Sequence, residues 1–455
     1  MQFYSQVSQD RFVFEWFFRG KRNGVFVDVG AYDGEKFSNT LFFERHMGWT
    51  GLCVEPQAAA FAKLTAGRRA VCEQVCVSDF EGEANFVESD AGIDEGMLCG
   101  LQKSFDPRHV ERLKTVSTKT VTHKVPVVRL SSLLEKHGLT DIDYCSIDVE
   151  GGELAILKEL DFEKFRIAVL TIENNYDDER IPNVMADKGY DLFAKLEQYY
   201  VFKRRDVRPL PQTTVFCAVW HGDPNRLELL RGHVANLQRQ TVPIELVYVF
   251  DGGDPVPDWL PGRAVSVREP LTIYQAWNVA LSMVQTPLVM NLNLDDRLAV
   301  DAIAQLQQAL KANNAAIAGG DWKICYSQAE VDSVENCFEA NNIPFALGSW
   351  PPTPGTNTRL GSGTGEVPTL GPATLWSMES HIGAPRYPAR FGDGSPIRAA
   401  GDAAWWAVMN HQQKKMVRLP LVIGHYHSHP SDQAEFRLSS ENEMRLLADL
   451  GCSLI

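Results

Sequence analysis

Asp28 and Glu55 close two apolar runs and are the first residues whose types and spacing could do chemistry. The run Phe26-Val27-Asp28-Val29 passes into Gly30-Ala31-Tyr32-Asp33-Gly34, a strand entering a glycine turn. A nucleotide cofactor needs close backbone approach at such a turn, and glycine leaves the room. The run Gly51-Leu52-Cys53-Val54 ends on Glu55-Pro56, where a carboxylate can accept both hydroxyls of a ribose. A dinucleotide would want glycine where Tyr32 stands, because its pyrophosphate packs on bare backbone. S-adenosylmethionine carries no phosphate and tolerates Tyr32. The plainer alternative is a structural glycine turn with an unrelated acid.

Further acids stand where strands would end. They are Asp148 and Glu150 in Ile147-Asp148-Val149-Glu150-Gly151-Gly152-Glu153, and Glu173 in Thr171-Ile172-Glu173-Asn174-Asn175. Open α/β sheets place ligands at such ends. Glu153 reads instead as a cap on the helix after Gly151. Near the C-terminus, His425, His427 and His429 alternate, and in an extended chain they face one side. Three imidazoles on one face suggest zinc, but no acid at suitable spacing completes the set.

These residues need elements to hold them. The chain has 455 residues, more than one hydrophobic core usually supports, so two or three domains are expected. Hydrophobic residues make up 44% and charged residues 22%, a globular mixture. The formal net charge of -14 argues against general nucleic-acid binding, although a local pocket can still take an anionic sugar-nucleotide. The nine cysteines form no CxxC pair and several lie in apolar runs, which fits a reducing cytoplasm better than secretion. The opening Met1-Gln2-Phe3-Tyr4-Ser5-Gln6 lacks the basic end and apolar core of a signal peptide. No apolar run approaches the ~20 residues of a membrane span.

Gly24 to Gly34 and Thr213 to Trp220 each look like the start of an α/β domain. Lys203 to Pro211 is charged, holds two prolines and reads as a linker, which predicts domains over 1–207 and 208–455. Apolar runs at 25–29, 51–55, 74–78, 142–148 and 167–173, separated by helical patterns, predict a parallel sheet with crossover helices. The second half repeats this logic at 213–220, 245–251 and 287–292. After Leu271 the stripe Ile273, Trp277, Ala280, Leu281 and Val284 predicts a helix. Residues 351–374, rich in Pro, Gly, Thr and Ser, read as a long loop, either mobile over a site or disordered.

The first half resembles FkbM-type methyltransferases. The resemblance rests on Ser5-Gln6-Val7-Ser8-Gln9-Asp10, Ser38-Asn39-Thr40, Gly48-Trp49-Thr50-Gly51, Val54-Glu55-Pro56, Val77-Ser78-Asp79 and Ile147 to Glu153, over roughly residues 3–205. It implies a Rossmann-like domain that transfers methyl from S-adenosylmethionine mostly to hydroxyl oxygens, often of sugars. Asp28, Gly30, Asp33, Asn39 and Glu55 would then hold cofactor, and Ser78 and Asp79 would lie near its adenine. The protein must align the hydroxyl and help remove its proton. Asp148 is expected nearest the methyl group, with Glu150 and Glu173 in support. Alternatively the grouped acids hold a divalent cation that acidifies the hydroxyl.

The second half resembles a family 2 glycosyltransferase with the GT-A fold, from about residue 213 to 430. Val215 to Arg226, Gln238-Arg239-Gln240-Thr241 and Val247 to Asp254 carry the early part, with Asp251 the implied base contact and Phe250 where a second acid is common. Trp277-Asn278 stands where an Arg-Asn pair is common, which puts Asn278 among the implied donor contacts. Val289 to Asp296 stands where a DxDD signature ends a strand, with Asn293 replacing the first acid. An acid there bridges a divalent cation, manganese or magnesium, to the donor pyrophosphate. Asp295 is the implied metal ligand, Asn293 a donor contact, and His427, then His429, the supplementary ligand. Asp402, in Gly401-Asp402-Ala403-Ala404-Trp405-Trp406, is the implied base for the acceptor hydroxyl. An N-cap aspartate is the alternative.

Together these readings predict a bifunctional cytoplasmic enzyme of polysaccharide biosynthesis. It would O-methylate a sugar hydroxyl and transfer a sugar from a nucleotide-sugar donor to a saccharide acceptor. Fusion would raise the effective concentration of a shared glycan. The rival is an active methyltransferase joined to a non-catalytic glycan-binding module, which Asn293, Phe250 and Trp277 favour.

Overall fold

The run Val25-Phe26-Val27-Asp28-Val29 can bury both faces only between other strands, and it forms the centre of a sheet. The computed structural model describes residues 1–90, 98–339, 372–381, 386–391, 393–398 and 401–427. The chain divides after Leu210 into two units, Met1–Leu210 and Pro211–Ile455.

Strands of the first unit are, in chain order, β1 (Val25–Val29), β2 (Thr50–Val54), β3 (Val71–Glu73), β4 (Cys76–Ser78), β5 (Gly82–Ser89), β6 (Gly100–Leu101), β7 (Thr120–Arg129), β8 (Asp141–Ile147), β9 (Arg166–Glu173), β10 (Tyr190–Leu196) and β11 (Tyr199–Arg204). Seven of them form one sheet in the order β10-β11-β9-β8-β1-β2-β3. The five from β9 to β3 run parallel, while β11 is antiparallel to both neighbours. The chain builds outward from β1 through β2 to β3, then returns to β8 on the other side. Strand order therefore reverses between β1 and β8, and that reversal opens a crevice beyond their C-terminal ends. One face of the sheet buries Val27, Val29, Leu52 and Ile147. The other buries Phe26, Phe42, Phe43 and Trp49 among many aromatic rings.

Two expectations shift here. The strand predicted at 74–78 is shorter and stands outside the main sheet, because β3 ends that sheet's edge at Glu73 and β4, at 76–78, opens a second sheet, β4-β7-β5-β6. The linker predicted from Lys203 begins later. Lys203 is still paired with Asp191 and Val169 inside β11, whose buried inner residues hold its charged end in register.

The second unit holds β12 (Thr213–Val219), β13 (Ile244–Phe250), β14 (Arg263–Ser266), β15 (Leu288–Asn291), β16 (Arg297–Leu298), β17 (Ile317–Cys325), β18 (Phe338–Glu339), β19 (Leu375–Ser377) and β20 (Met416–His427). The sheet order is β14-β13-β12-β15-β19-β17-β20-β16, with β18 beside β20. The first four run parallel and reverse order between β12 and β15. The helix Ile273–Met283 starts on a capping box between Thr272 and Gln275 and buries Tyr274, Trp277, Ala280 and Leu281. Ile273, the first residue of the predicted stripe and of the helix, is exposed. Val284, predicted in the same stripe, is the C-cap. Among the described residues no helix is long and apolar enough to cross a membrane. The loop predicted over 351–374 lies almost wholly outside the described residues, as does His429.

Candidate functional site

A cavity of about 450 Å³ opens beyond β1, β2 and β8 in the first unit, within the range of small-molecule sites. Gly30, Tyr32, Glu55, Gln57, Asp148, Glu150, Glu173 and Tyr199 are among its lining residues. Glu55 is held rigidly. Its Oε2 accepts from the Tyr32 amide at 2.9 Å and its Oε1 from the Gln57 amide at 2.8 Å. Burial pushes its carboxyl up to about 7 against those two bonds. Each oxygen keeps lone-pair capacity for a further donor.

Gly30 has φ +89°, and a Cβ there would lie 1.8 Å from the Asp148 carbonyl oxygen. The glycine is therefore required by the neighbouring strand end, where the sequence reading assigned its bareness to a cofactor. Three other expected cofactor residues serve the turn. Asp28 lies beneath it and accepts from Thr40 Oγ1 at 2.6 Å, while Arg68 Nη2 donates to the same hydroxyl at 2.9 Å. Arg68 is fully buried and pairs with Glu44 at 3.1 Å. Asn39 Nδ2 donates to Ser146 Oγ at 2.9 Å, pinning the turn to β8. Asp33 Oδ1 accepts from the amides of Glu35 and Lys36. None of the three lines the cavity. Ser78 and Asp79 line an adjoining cavity instead, where Ser78 Oγ donates to Asp79 at 3.1 Å and Lys103 pairs with Asp79 at 3.5 Å.

Asp148, Glu150 and Glu173 do converge. One carboxylate oxygen from each lies within 4.8 Å of the others, the only such group of three or more acids, histidines or cysteines among the described residues. Tyr199 donates from its hydroxyl to Asp148 Oδ2. Burial raises Asp148 and pushes Glu173 and Glu150 well up, and the neighbouring carboxylates add to the rise in the last two. Glu150 sits at φ 57°, and its Oε2 is buried with no hydrogen-bond partner, 3.4 Å from His109 Nδ1. Glu153 Oε1 accepts from the amides of Val149 and Gly151 and so braces the loop at the helix start. Arg112 is the single basic residue in the lining among the described residues.

In the second unit Asp251 follows β13 and lines a cavity of about 630 Å³ with Trp220, Arg390 and Arg398. Its Oδ1 accepts from the His221 amide and its Oδ2 from the Leu271 amide. Asn278 does not reach that cavity. Its Nδ2 donates to the Tyr387 carbonyl at 2.8 Å and its Oδ1 accepts from the Tyr387 amide at 3.0 Å. Asn293, Asp295 and Asp296 form the turn after β15. His427 Nδ1 stands 3.4 Å from Asp295 Oδ2, and the His427 amide donates to Asp296 Oδ1 at 2.9 Å. Burial, then Asp295, pushes Asp296 well up. His425 does not join them, because its Nδ1 faces the Glu330 carbonyl at 3.0 Å. Asp402 opens the helix Gly401–His411 and accepts from the Tyr274 hydroxyl at 3.1 Å.

Sequence reasoning missed Tyr199, Gln198 and Gln57 in the first cavity. Tyr199 arrives because β11 sets it opposite Glu173, a register no local pattern encodes. Gln6, by contrast, lies in the flagged opening motif and lines the same cavity.

Residues 28–199 match the family model described as a methyltransferase FkbM domain. No curated protein matches the chain. Solved structures similar to part of it include S. aureus TarS 1–349 in complex with UDP. That one is 13% identical, with 52% of this chain and 70% of that chain covered at a TM-score of 0.35. S. aureus TarS is 12% identical, with 52% of this chain and 42% of that chain covered at 0.35. The mannosyltransferase PcManGT from Pyrobaculum calidifontis, in complex with GDP-Man and Mn2+, is 14% identical, with 53% of this chain and 64% of that chain covered at 0.34.

Proposed function

We propose that Met1–Leu210 binds S-adenosylmethionine and methylates a hydroxyl oxygen of a saccharide. The observation that carries this reading is the meeting of Glu55 and the Asp148–Glu150–Glu173 group on one cavity at the reversal of strand order. The FkbM-domain match supports it. When bound, S-adenosylmethionine supplies an electrophilic methyl group. The residues present fit that molecule. Glu55 has lone pairs left for ribose hydroxyls, and a wall of carboxylates with one arginine favours a cationic ligand over a phosphate. Asp148 and Glu173 take up the proton that leaves the acceptor hydroxyl, and Tyr199 orients Asp148. A second reading, favoured by the 4.8 Å grouping, has the same acids hold a divalent cation. Methyl transfer that survives EDTA would remove it.

Pro211–Ile455 is, in our reading, a GT-A glycosyltransferase acting on a nucleotide-sugar. Asp251 meets the base, Asn293 the donor, Asp295 and His427 a manganese or magnesium ion, and Asp402 the acceptor hydroxyl. The proximity of Asp295 to His427 and the cavity beside Asp251 support it. Asn278 leaves the donor set, since its amide is engaged by Tyr387. The chain would then serve cytoplasmic polysaccharide biosynthesis with two transferase sites.

Calorimetric titration of the full chain with S-adenosylmethionine, then with UDP plus manganese, tests both halves. Binding of both supports two working sites. Binding of the first alone, with GDP and dTDP also silent, favours a glycan-presenting second unit. Failure of S-adenosylmethionine to bind sinks the methyltransferase reading.

A further inference from the structure

A second cavity of about 800 Å³ adjoins the first within Met1–Leu210. Ser104, Glu173 and Asn175 line both. One acid of the converging group thus forms part of the wall between two spaces. Resting on the methyltransferase reading, we propose that this second cavity is the acceptor subsite and takes an uncharged sugar ring against Tyr176.

The charges decide against an ionic acceptor. Seven acidic residues and four basic ones line the cavity, and the five acids other than the buried Glu153 and Glu173 still outnumber the bases, so an anion finds no net positive charge. The two arginines are also engaged. Arg108 forks onto Asp106 at 2.8 and 2.9 Å, and Arg180 onto Asp178 at 2.8 and 2.6 Å. A bidentate arginine has spent its charge on its partner, yet its remaining N–H groups still donate to neutral oxygens. The carboxylates in turn can accept from adjacent hydroxyls. A polyhydroxylated ring uses both kinds of contact and needs no counter-ion.

Tyr176 supplies the apolar half. It is half-buried on the loop after β9, and the Arg108 guanidinium covers its ring at 4.2 Å. That loop is fastened underneath. Asn174 Oδ1 accepts from the Asp178 amide at 2.8 Å and its Nδ2 donates to the Asp178 carbonyl at 3.3 Å. A pyranose presents one face of C–H groups, and a fixed phenol ring is a surface on which that face can lie. The position is productive because Asn175, immediately before it in the chain, borders both cavities.

The test uses the full chain and three probes: methyl α-D-glucopyranoside, methyl α-D-mannopyranoside and methyl α-L-rhamnopyranoside. The hexuronic acid methyl glycoside is the charged control. Saturation-transfer NMR should detect at least one neutral glycoside and not the uronic acid. Tyr176→Ala should weaken that glycoside by about fivefold, the worth of one ring contact, and Tyr176→Phe should not. Calorimetric binding of S-adenosylmethionine should stay at the wild-type value in both variants, which also reports that the unit is folded. No neutral glycoside bound while S-adenosylmethionine binds overturns the acceptor proposal alone. So does a preference for the uronic acid, or a glycoside signal unchanged in Tyr176→Ala. Should wild-type protein fail to bind S-adenosylmethionine, the underlying reading falls with it.

Discussion

The Tyr199 hydroxyl donates to Asp148 Oδ2 at 2.6 Å, and so ties the antiparallel strand β11 to the loop after β8. The bond holds down an acid that burial otherwise raises. Tyr199→Phe removes the donor and leaves the ring. Asp148 should then stay protonated to higher pH. We expect the acid limb of the pH profile of methyl transfer to move up by roughly one unit, and kcat at neutral pH to fall about tenfold. Affinity for S-adenosylmethionine should change less than about twofold. An unshifted profile would mean that Asp148 does not take the proton.

Glu55 gives a second handle on pH. Its carboxyl is raised from 4.5 to about 7 by burial, and in the proposed role it would accept ribose hydroxyls best when ionised. Affinity for S-adenosylmethionine should therefore rise as pH passes upward through about 7, then level off. The stability of the free protein runs the other way. A raised acid stabilises the fold below pH 4.5, and that contribution is lost as pH climbs to about 7. Glu55→Gln should flatten the binding profile and weaken binding by ~10-fold or more. Calorimetry across the pH range decides.

How much of this was legible in the sequence differs from residue to residue. Glu55 and the acids Asp148, Glu150 and Glu173 could be located because each stands at or just past the end of a largely apolar strand. The parallel order then carries all of them to one end of the sheet. Asp28 and Asn39 looked alike to the eye and lie elsewhere, since a motif records which residues occur together and not which way each side chain turns. Tyr199 and Tyr176 were invisible. One depends on antiparallel register, the other on a loop whose partners, Arg108 and Asp106, lie some seventy residues earlier. In the second unit Asn278 carried a family position but not the environment expected for it.

Gly30→Ala should be among the most damaging single-methyl changes in the first unit. The added carbon would lie 1.8 Å from the Asp148 carbonyl oxygen, at φ +89°. We expect a loss of about 3 kcal/mol or more from overlap and left-handed backbone together. Gly20→Ala is the control, because φ there is +84° and nothing lies within 4 Å of the new carbon. It should cost only about 1 kcal/mol. Urea denaturation of both variants measures the contrast, and equal losses would mean that the close approach is not limiting.

In the second unit the proposed metal and base roles can be told apart by substitution. Asp295→Ala should abolish the manganese-dependent part of UDP binding, a loss of ~10-fold or more. Asp402→Asn should bind UDP as wild type does and lose sugar transfer, including donor hydrolysis without acceptor. Donor turnover that persists in Asp402→Asn would assign that residue to the helix start alone.

The contact of Gly30 with Asp148 has a consequence for how such a unit can diversify. Because the turn beside Glu55 rests on the very residue that would handle the proton, neither can be shifted alone, and the two are inherited as one block. The segments around Arg108 and Tyr176 carry no such constraint, since the backbone of each is braced by bonds within its own few residues and the two meet through a side-chain contact, the Arg108 guanidinium on the Tyr176 ring. Substitution there can exchange one recognised partner for another while the reacting centre stays as it is. Lineages sharing this chain's sheet should accordingly vary most along that rim and least where glycine meets carbonyl.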